Sequence, residues 1–130
     1  MPLPAELEFA ISAPNRAVVG TVRPNNSPHT AATWYEWDNG RVLLNMDASR
    51  ARLQHMRENP HVCITIFVGE EGRQHVTLFG RIESIEDDRD FSDIDRLSVR
   101  YTGKPFRTRD RPRVSASLRP ERWSAWPGSR

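Results

Sequence analysis

Residues 29–60 read HTAATWYEWDNGRVLLNMDASRARLQHMRENP, and this stretch decides the fold. Asn39-Gly40 sits between two apolar-rich runs. A two-residue type I′ turn needs positive φ at both central positions, which asparagine followed by glycine supplies. The stretch therefore predicts a hairpin of strands over His29–Trp37 and Arg41–Met46. A short helix follows over Ser49–Glu58, with Asp47 or Ser49 placed to cap it, and Pro60 prevents its continuation. Arg50 and Arg52 fall near the start of that helix. A helix N-terminus carries roughly +0.5 of an elementary charge, so cations there are on the unfavourable side of the dipole. Backbone N–H groups and arginine forks meeting at one point suit a bound phosphate.

Outward from this core, Pro4–Ser12 reads as a short helix with Leu7, Ala10 and Ile11 on one face, ended by Pro14 and Asn15. Arg16–Val22 (RAVVGTV) reads as a strand, and Arg23–Pro28 is dense in turn formers. On the C-terminal side, His61–Val68 (HVCITIFV) is β-branched and aromatic, hence a strand, and Gly69–Arg73 is a turn. Gln74–Ile85 is a longer strand in which Val76, Leu78, Gly80 and Ile82 alternate with His75, Thr77, Phe79 and Arg81; Gly80 predicts a bulge or bend. Asp87–Tyr101 reads as an amphipathic helix with Phe91, Ile94, Leu97 and Tyr101 on one stripe. Gly103 is placed to cap its C-terminus and Pro105 blocks extension. Arg107–Arg113 is a basic loop, and Arg113–Leu118 is a last strand, followed by Trp123 and Trp126. Strands follow one another through short turns without repeated βαβ alternation. The expected class is mainly β (α+β): a six-stranded antiparallel barrel with short peripheral helices, in a single domain spanning residues 1–130.

Composition removes several classes of function. The chain has 130 residues, and its 19 basic against 17 acidic residues give a net charge of +2. That is too small to argue for nucleic acid. Lys104 is the only lysine, so cationic chemistry here is arginine chemistry, with planar two-point pairing to phosphate or carboxylate. A single cysteine, Cys63, excludes an intramolecular disulfide and a multi-cysteine zinc site, and its apolar strand predicts a buried, inert thiol. No apolar run approaches the roughly 20 residues needed to span a bilayer. The opening MPLPAELEFA lacks the basic and apolar regions of a secretory signal. A cytoplasmic protein is expected. His29, His55, His61 and His75 show no metal-ligand spacing, and no Ser-His-Asp arrangement is present.

The order of elements resembles the pyridoxamine 5′-phosphate oxidase-like split β-barrel family, the FMN-binding-protein-like fold of flavin and deazaflavin oxidoreductases, and in particular its coenzyme F420-dependent branch. Pro28–Arg50 resembles the strand pair that leads to the cofactor helix, and Ser49–Ile66 (SRARLQHMRENPHVCITI) the phosphate helix with its following strand. His75–Asp88 (HVTLFGRIESIEDD) resembles the long central strand. Asp95–Trp126 resembles the C-terminal portion of the deazaflavin branch.

The resemblance implies a homodimer with cofactor in grooves at the subunit interface. It implies that Ser49, Arg50 and Arg52 bind the cofactor phosphate, and that Thr33, Trp34, Asn45 and Met46 line the ring system. Arg52 stands where members often have lysine. It further implies coenzyme F420, with FMN as the alternative, and hydride transfer to an unsaturated small-molecule substrate, with no nucleic acid or membrane partner. Lys104, Arg107 and Arg109 are candidates for contact with an anionic cofactor tail, and His75 is a candidate neighbour of the groove. A proton for the product can come from solvent, Tyr101 or an arginine-bound water. Other readings are a noncatalytic flavin, deazaflavin or haem carrier, and an interaction domain whose Arg50 and Arg52 merely pair with Glu36, Asp38 or Asp47. For Trp34, Tyr35 and Trp37, packing in the core or an interface is the competing role.

Overall fold

A computed structural model describes residues 1–127. The chain forms α1 (Ala5–Ile11), β1 (Arg16–Val22), β2 (Pro28–Thr33), β3 (Glu36–Asp38), β4 (Arg41–Asp47), α2 (Ala51–Glu58), β5 (His61–Val68), β6 (Gln74–Asp87), α3 (Ser92–Thr102) and β7 (Arg113–Trp126). The strands make one antiparallel sheet of seven, in the order β2-β1-β5-β6-β7-β4-β3. Laid flat at about 4.8 Å per step, its two edge strands would lie about 29 Å apart. Only Trp34 and Tyr35 separate β2 from β3, a reach of at most about 11 Å. The sheet must therefore curl until its edges approach. No ladder joins β2 to β3 among the described residues, so the barrel is split rather than closed.

The count of seven strands corrects the expected six, and the correction lies in His29–Trp37. That run is not one strand. Its first part pairs with β1, from Val22↔Pro28 to Ala17↔Thr33. Its last part pairs with β4, from Glu36↔Leu43 to Asp38↔Arg41. Between them Tyr35 is fully buried, its hydroxyl donating to Ile11 O at 2.6 Å. A buried hydrogen-bonded phenol anchors the crossing. The Asn39-Gly40 turn is formed as expected, with φ of 51° and 86°.

The other ends move for local reasons. Neither Asp47 nor Ser49 is the N-cap of α2; Arg50 is, and it makes no side-chain cap bond. Asp47 Oδ1 instead accepts from Ser49 N and Ser49 Oγ, both at 2.8 Å. α3 begins at Ser92 rather than Asp87, because β6 runs on to Asp87 and Asp88 then accepts from the backbone N–H of Asp93 and Ile94. Phe91 thus leaves the helical stripe and takes φ 61°. Gly103 caps the far end with φ 81°. β7 does not stop at Leu118 but continues through Pro120 to Trp126.

Pro120 is tolerated because it faces Gly80 where the β6–β7 register shifts between Phe79 and Gly80. Proline inside a sheet requires such an irregularity. A Cβ on Gly80 would lie 2.0 Å from Arg119 O, so only glycine fits this close approach. Alternation along β6 holds as expected: Val76, Leu78 and Ile82 point inward, at 0%, 0% and 9% exposure. They join Val19, Val42, Leu44, Met46, Ile64, Ile66, Val114 and Leu118 in one core. No helix among the described residues is long and apolar enough to cross a membrane.

Candidate anion and ring-binding cleft

β4 delivers the chain to α2 at the mouth of the barrel. α2 has no acidic residue in its first turn, where the helix dipole favours one; it has Arg52 there and Arg50 at the N-cap. Both line a cleft of about 450 Å³ with Arg16, Thr33, Trp34, Asn45, Tyr101 and Arg113, together with the apolar side of Ala17, Ala32, Ile94, Leu97 and Phe106. The charged residues of this lining are all arginines.

Among the described residues, Arg50, Arg52 and Arg113 form no ion pair. Asp47, the carboxylate that opens the loop before α2, is taken by Ser49 and by Arg111 Nη1 at 3.2 Å. Burial, and then the charges of Arg50 and Arg113, pull the Arg52 guanidinium below its ordinary value. Burial likewise lowers Arg113; Arg50 adds to the shift, while Asp47 and Asp88 oppose it. Folding thus gathers like charges, partly desolvates Arg52 and Arg113, and pairs none of the three with a carboxylate among the described residues, an arrangement that favours an incoming anion.

The aromatic side comes from elements distant in sequence. Trp34, in the β2–β3 link, stacks on Tyr101 of α3 with ring centroids 5.3 Å apart and planes 8° apart. Phe106 meets Trp34 edge-on at 6.4 Å. The Tyr101 hydroxyl donates to Asn15 O at 2.7 Å, and burial raises its pKa. Its proton is engaged in the fold, and the residue offers the cleft its ring.

Thr33, Trp34, Asn45, Arg50 and Arg52 are therefore brought together. Met46 and Ser49 are not: Met46 is 1% exposed within the core, and the Ser49 hydroxyl is spent on Asp47. Asn45 is also largely committed, donating to Asp88 Oδ2 and Ser115 Oγ at 3.0 Å each. Sequence reasoning missed Arg16, Phe106 and Arg113 as cleft residues. No local signal distinguishes Arg113 from the other arginines of the 107–113 loop; only its register against Asp47 does. Arg109 is removed from the free cations by its 2.9 Å pair with Asp95 and by stacking on Phe91 at 5.0 Å. His75 lies apart from the cleft, stacked on Trp126. Cys63 is half-buried, with a thiol pushed up by burial rather than activated. The described residues contain no cluster of histidine, cysteine and carboxylates able to hold a metal.

These features define the class: a small, curled, split antiparallel barrel with a cationic, aromatic-lined cleft at its mouth. The family model of pyridoxamine 5′-phosphate oxidase matches residues 3–127, and the chain belongs to that family. No curated protein matches the sequence. Solved structures resemble it in fold. An F420 reductase is 23% identical, with a TM-score of 0.84 over 95% of this chain and 98% of its own. A conserved hypothetical protein from Mycobacterium tuberculosis is 20% identical, with a TM-score of 0.74 over 97% and 85%. General Stress Protein 26 from Bacillus anthracis is 20% identical, with a TM-score of 0.68 over 92% and 93%.

Proposed function

We propose that this protein is a coenzyme F420-dependent oxidoreductase that reduces an unsaturated small molecule. The observation that carries the reading is the placement of Arg50 and Arg52, without carboxylate partners among the described residues, in the same cleft as the stacked Trp34–Tyr101 pair. The donor set fits a phosphorylated ring cofactor: guanidinium forks for the phosphate, aromatic and aliphatic walls for the ring. The bound deazaflavin supplies a hydride from its reduced ring.

The residues of the chain bind, orient and exclude water. Arg50 and Arg52 hold the phosphate. Thr33 and the Trp34 backbone border the ring, while Ala17, Ala32, Ile94 and Leu97 keep that side dry. No side-chain nucleophile is required. With Tyr101 engaged by Asn15, the proton for the product comes from solvent or from water held by an arginine. We place the second wall of the cleft on another copy of the chain, in a homodimer with cofactor at the interface.

FMN is the second reading. It needs the same phosphate clamp and no site for an anionic tail, and the commitment of Arg109 to Asp95 favours it. Titration of the purified protein with F420 and with FMN, read by tryptophan quenching at Trp34, separates the two. F420 preference lost in Arg50→Ala/Arg52→Ala supports the deazaflavin reading, and FMN preference replaces it. Binding of neither overturns the cofactor assignment. Faster oxidation of the reduced cofactor when an acceptor is added distinguishes an enzyme from a carrier.

A further inference from the structure

Arg113 stands on the sheet, not on the helix that carries Arg50 and Arg52. It opens β7 and pairs in register with Asp47. Its Nε donates to Asn45 Oδ1 at 3.0 Å. Its guanidinium carbon lies 4.8 Å from the centroid of Phe106. Stacking and the Nε bond together restrain the guanidinium, while Nη1 and Nη2 have no partner in the chain among the described residues.

The orientation of Asn45 is decided by its other contacts. An amide has one acceptor oxygen and a two-donor nitrogen. The nitrogen faces Asp88 Oδ2 and Ser115 Oγ, so the oxygen must face Arg113. Asp88 is itself held: it is 5% exposed and accepts from the backbone N–H of Asp93 and Ile94. A continuous chain of hydrogen bonds therefore runs from the start of α3 through Asp88 and Asn45 to the cleft.

We propose that Arg113 is a third anion-binding residue of the cleft, giving the cofactor phosphate a two-point contact through Nη1 and Nη2, and that Asn45 is a positioning residue acting through Arg113. This rests on the cofactor reading above and adds to it a ligand from the last strand. Lysine at this position would keep the charge but lose both the fork and the Nε anchor. Asn45, with its amide groups engaged, contributes to affinity by fixing Arg113 and not by touching the ring.

The test is a double-mutant cycle on cofactor affinity, using FMN and F420 as probes and melting curves for each variant. Arg113→Ala is expected to weaken the preferred cofactor about 10- to 100-fold. Arg113→Lys is expected to recover only part of that loss. Asn45→Ala is expected to weaken binding several-fold in the native background and not at all in Arg113→Ala. A purely structural role for Asn45 would give the same loss in both backgrounds and overturn the positioning assignment. Native affinity in Arg113→Ala, with binding lost in Arg50→Ala/Arg52→Ala, would overturn the ligand assignment while leaving the cofactor reading intact. If Arg113→Ala does not fold, native affinity in Arg113→Lys overturns the two-point contact. Absence of binding by the native protein overturns both.

Discussion

The β6–β7 wall and the mouth around α2 follow opposite rules. In the wall, inward positions carry Val76, Leu78 and Ile82, and the single awkward step is resolved by placing Gly80 opposite Pro120. Each feature lowers the free energy of the folded chain. At the mouth, Arg50, Arg52 and Arg113 raise it: they repel one another, Arg52 and Arg113 are partly desolvated, and Arg50 and Arg52 stand at the positive end of a helix. A sequence shaped by stability alone would place Asp or Glu in that first turn. The wall is explained by packing. The mouth makes sense when a ligand supplies the missing negative charge, and local conflict of this kind is how binding sites differ from scaffolds.

The largest expected effect tests the wall. Gly80→Val places a branched side chain where even a Cβ would lie 2.0 Å from the Arg119 carbonyl oxygen. It should destabilise the protein by more than about 4 kcal/mol or prevent folding; an unchanged urea midpoint would show that the two strands part freely there. Leu78→Ala removes a side chain with no exposure and should cost about 2–5 kcal/mol, read as a lower midpoint at constant m-value.

The mouth should respond in the reverse way. Arg50→Ala/Arg52→Ala should weaken cofactor binding about 100-fold while leaving the ligand-free protein as stable as before, or more stable by up to about 1 kcal/mol from relief at the helix terminus. A large loss of stability without ligand would make the arginines structural and erase the contrast.

Asp47 links the two regions, and its acid behaviour sharpens the comparison. The Ser49 N–H and hydroxyl, with Arg111 beside them, hold its carboxyl at about 2, against 3.8 ordinarily. A depressed pKa stabilises the folded state above the ordinary range, and that contribution is lost as pH falls from about 4 through about 2. In Asp47→Asn the acid limb of a stability–pH curve should be shallower across that window. The smallest effect is expected at Arg73, whose pair with Glu71 at 2.7 Å is 87% and 72% exposed; Arg73→Ala should change stability by less than about 0.5 kcal/mol.

Much of the barrel was legible because its signals are local. β1 and β5 occur at the predicted bounds, where β-branched runs end at turn residues. The Asn39-Gly40 turn and the Gly103 cap follow from the backbone conformations that those residues allow. The errors fell where a distant partner overrode a local pattern. Trp34-Tyr35 reads as continuing strand, yet burial of the Tyr35 ring and its bond to Ile11 O turn the chain from one edge of the sheet to the other. The last strand reads as ending at Leu118, yet Gly80 across the ladder lets β7 pass through Pro120.

The cleft divides in the same way. Arg50 and Arg52 stand out within a single helical turn, because charges that oppose a helix dipole are visible in sequence. The entry of Arg113 and Phe106 into that cleft is not visible there, nor is the stacking of Tyr101 on Trp34. The sequence by itself determined the strands, the helix stops and the misplaced charges, since each depends on neighbours within a few residues. Tertiary structure alone decided that β7 aligns Arg113 with Asp47 and that α3 brings Tyr101 onto Trp34, since strand register and helix docking are set by the packing of the whole core.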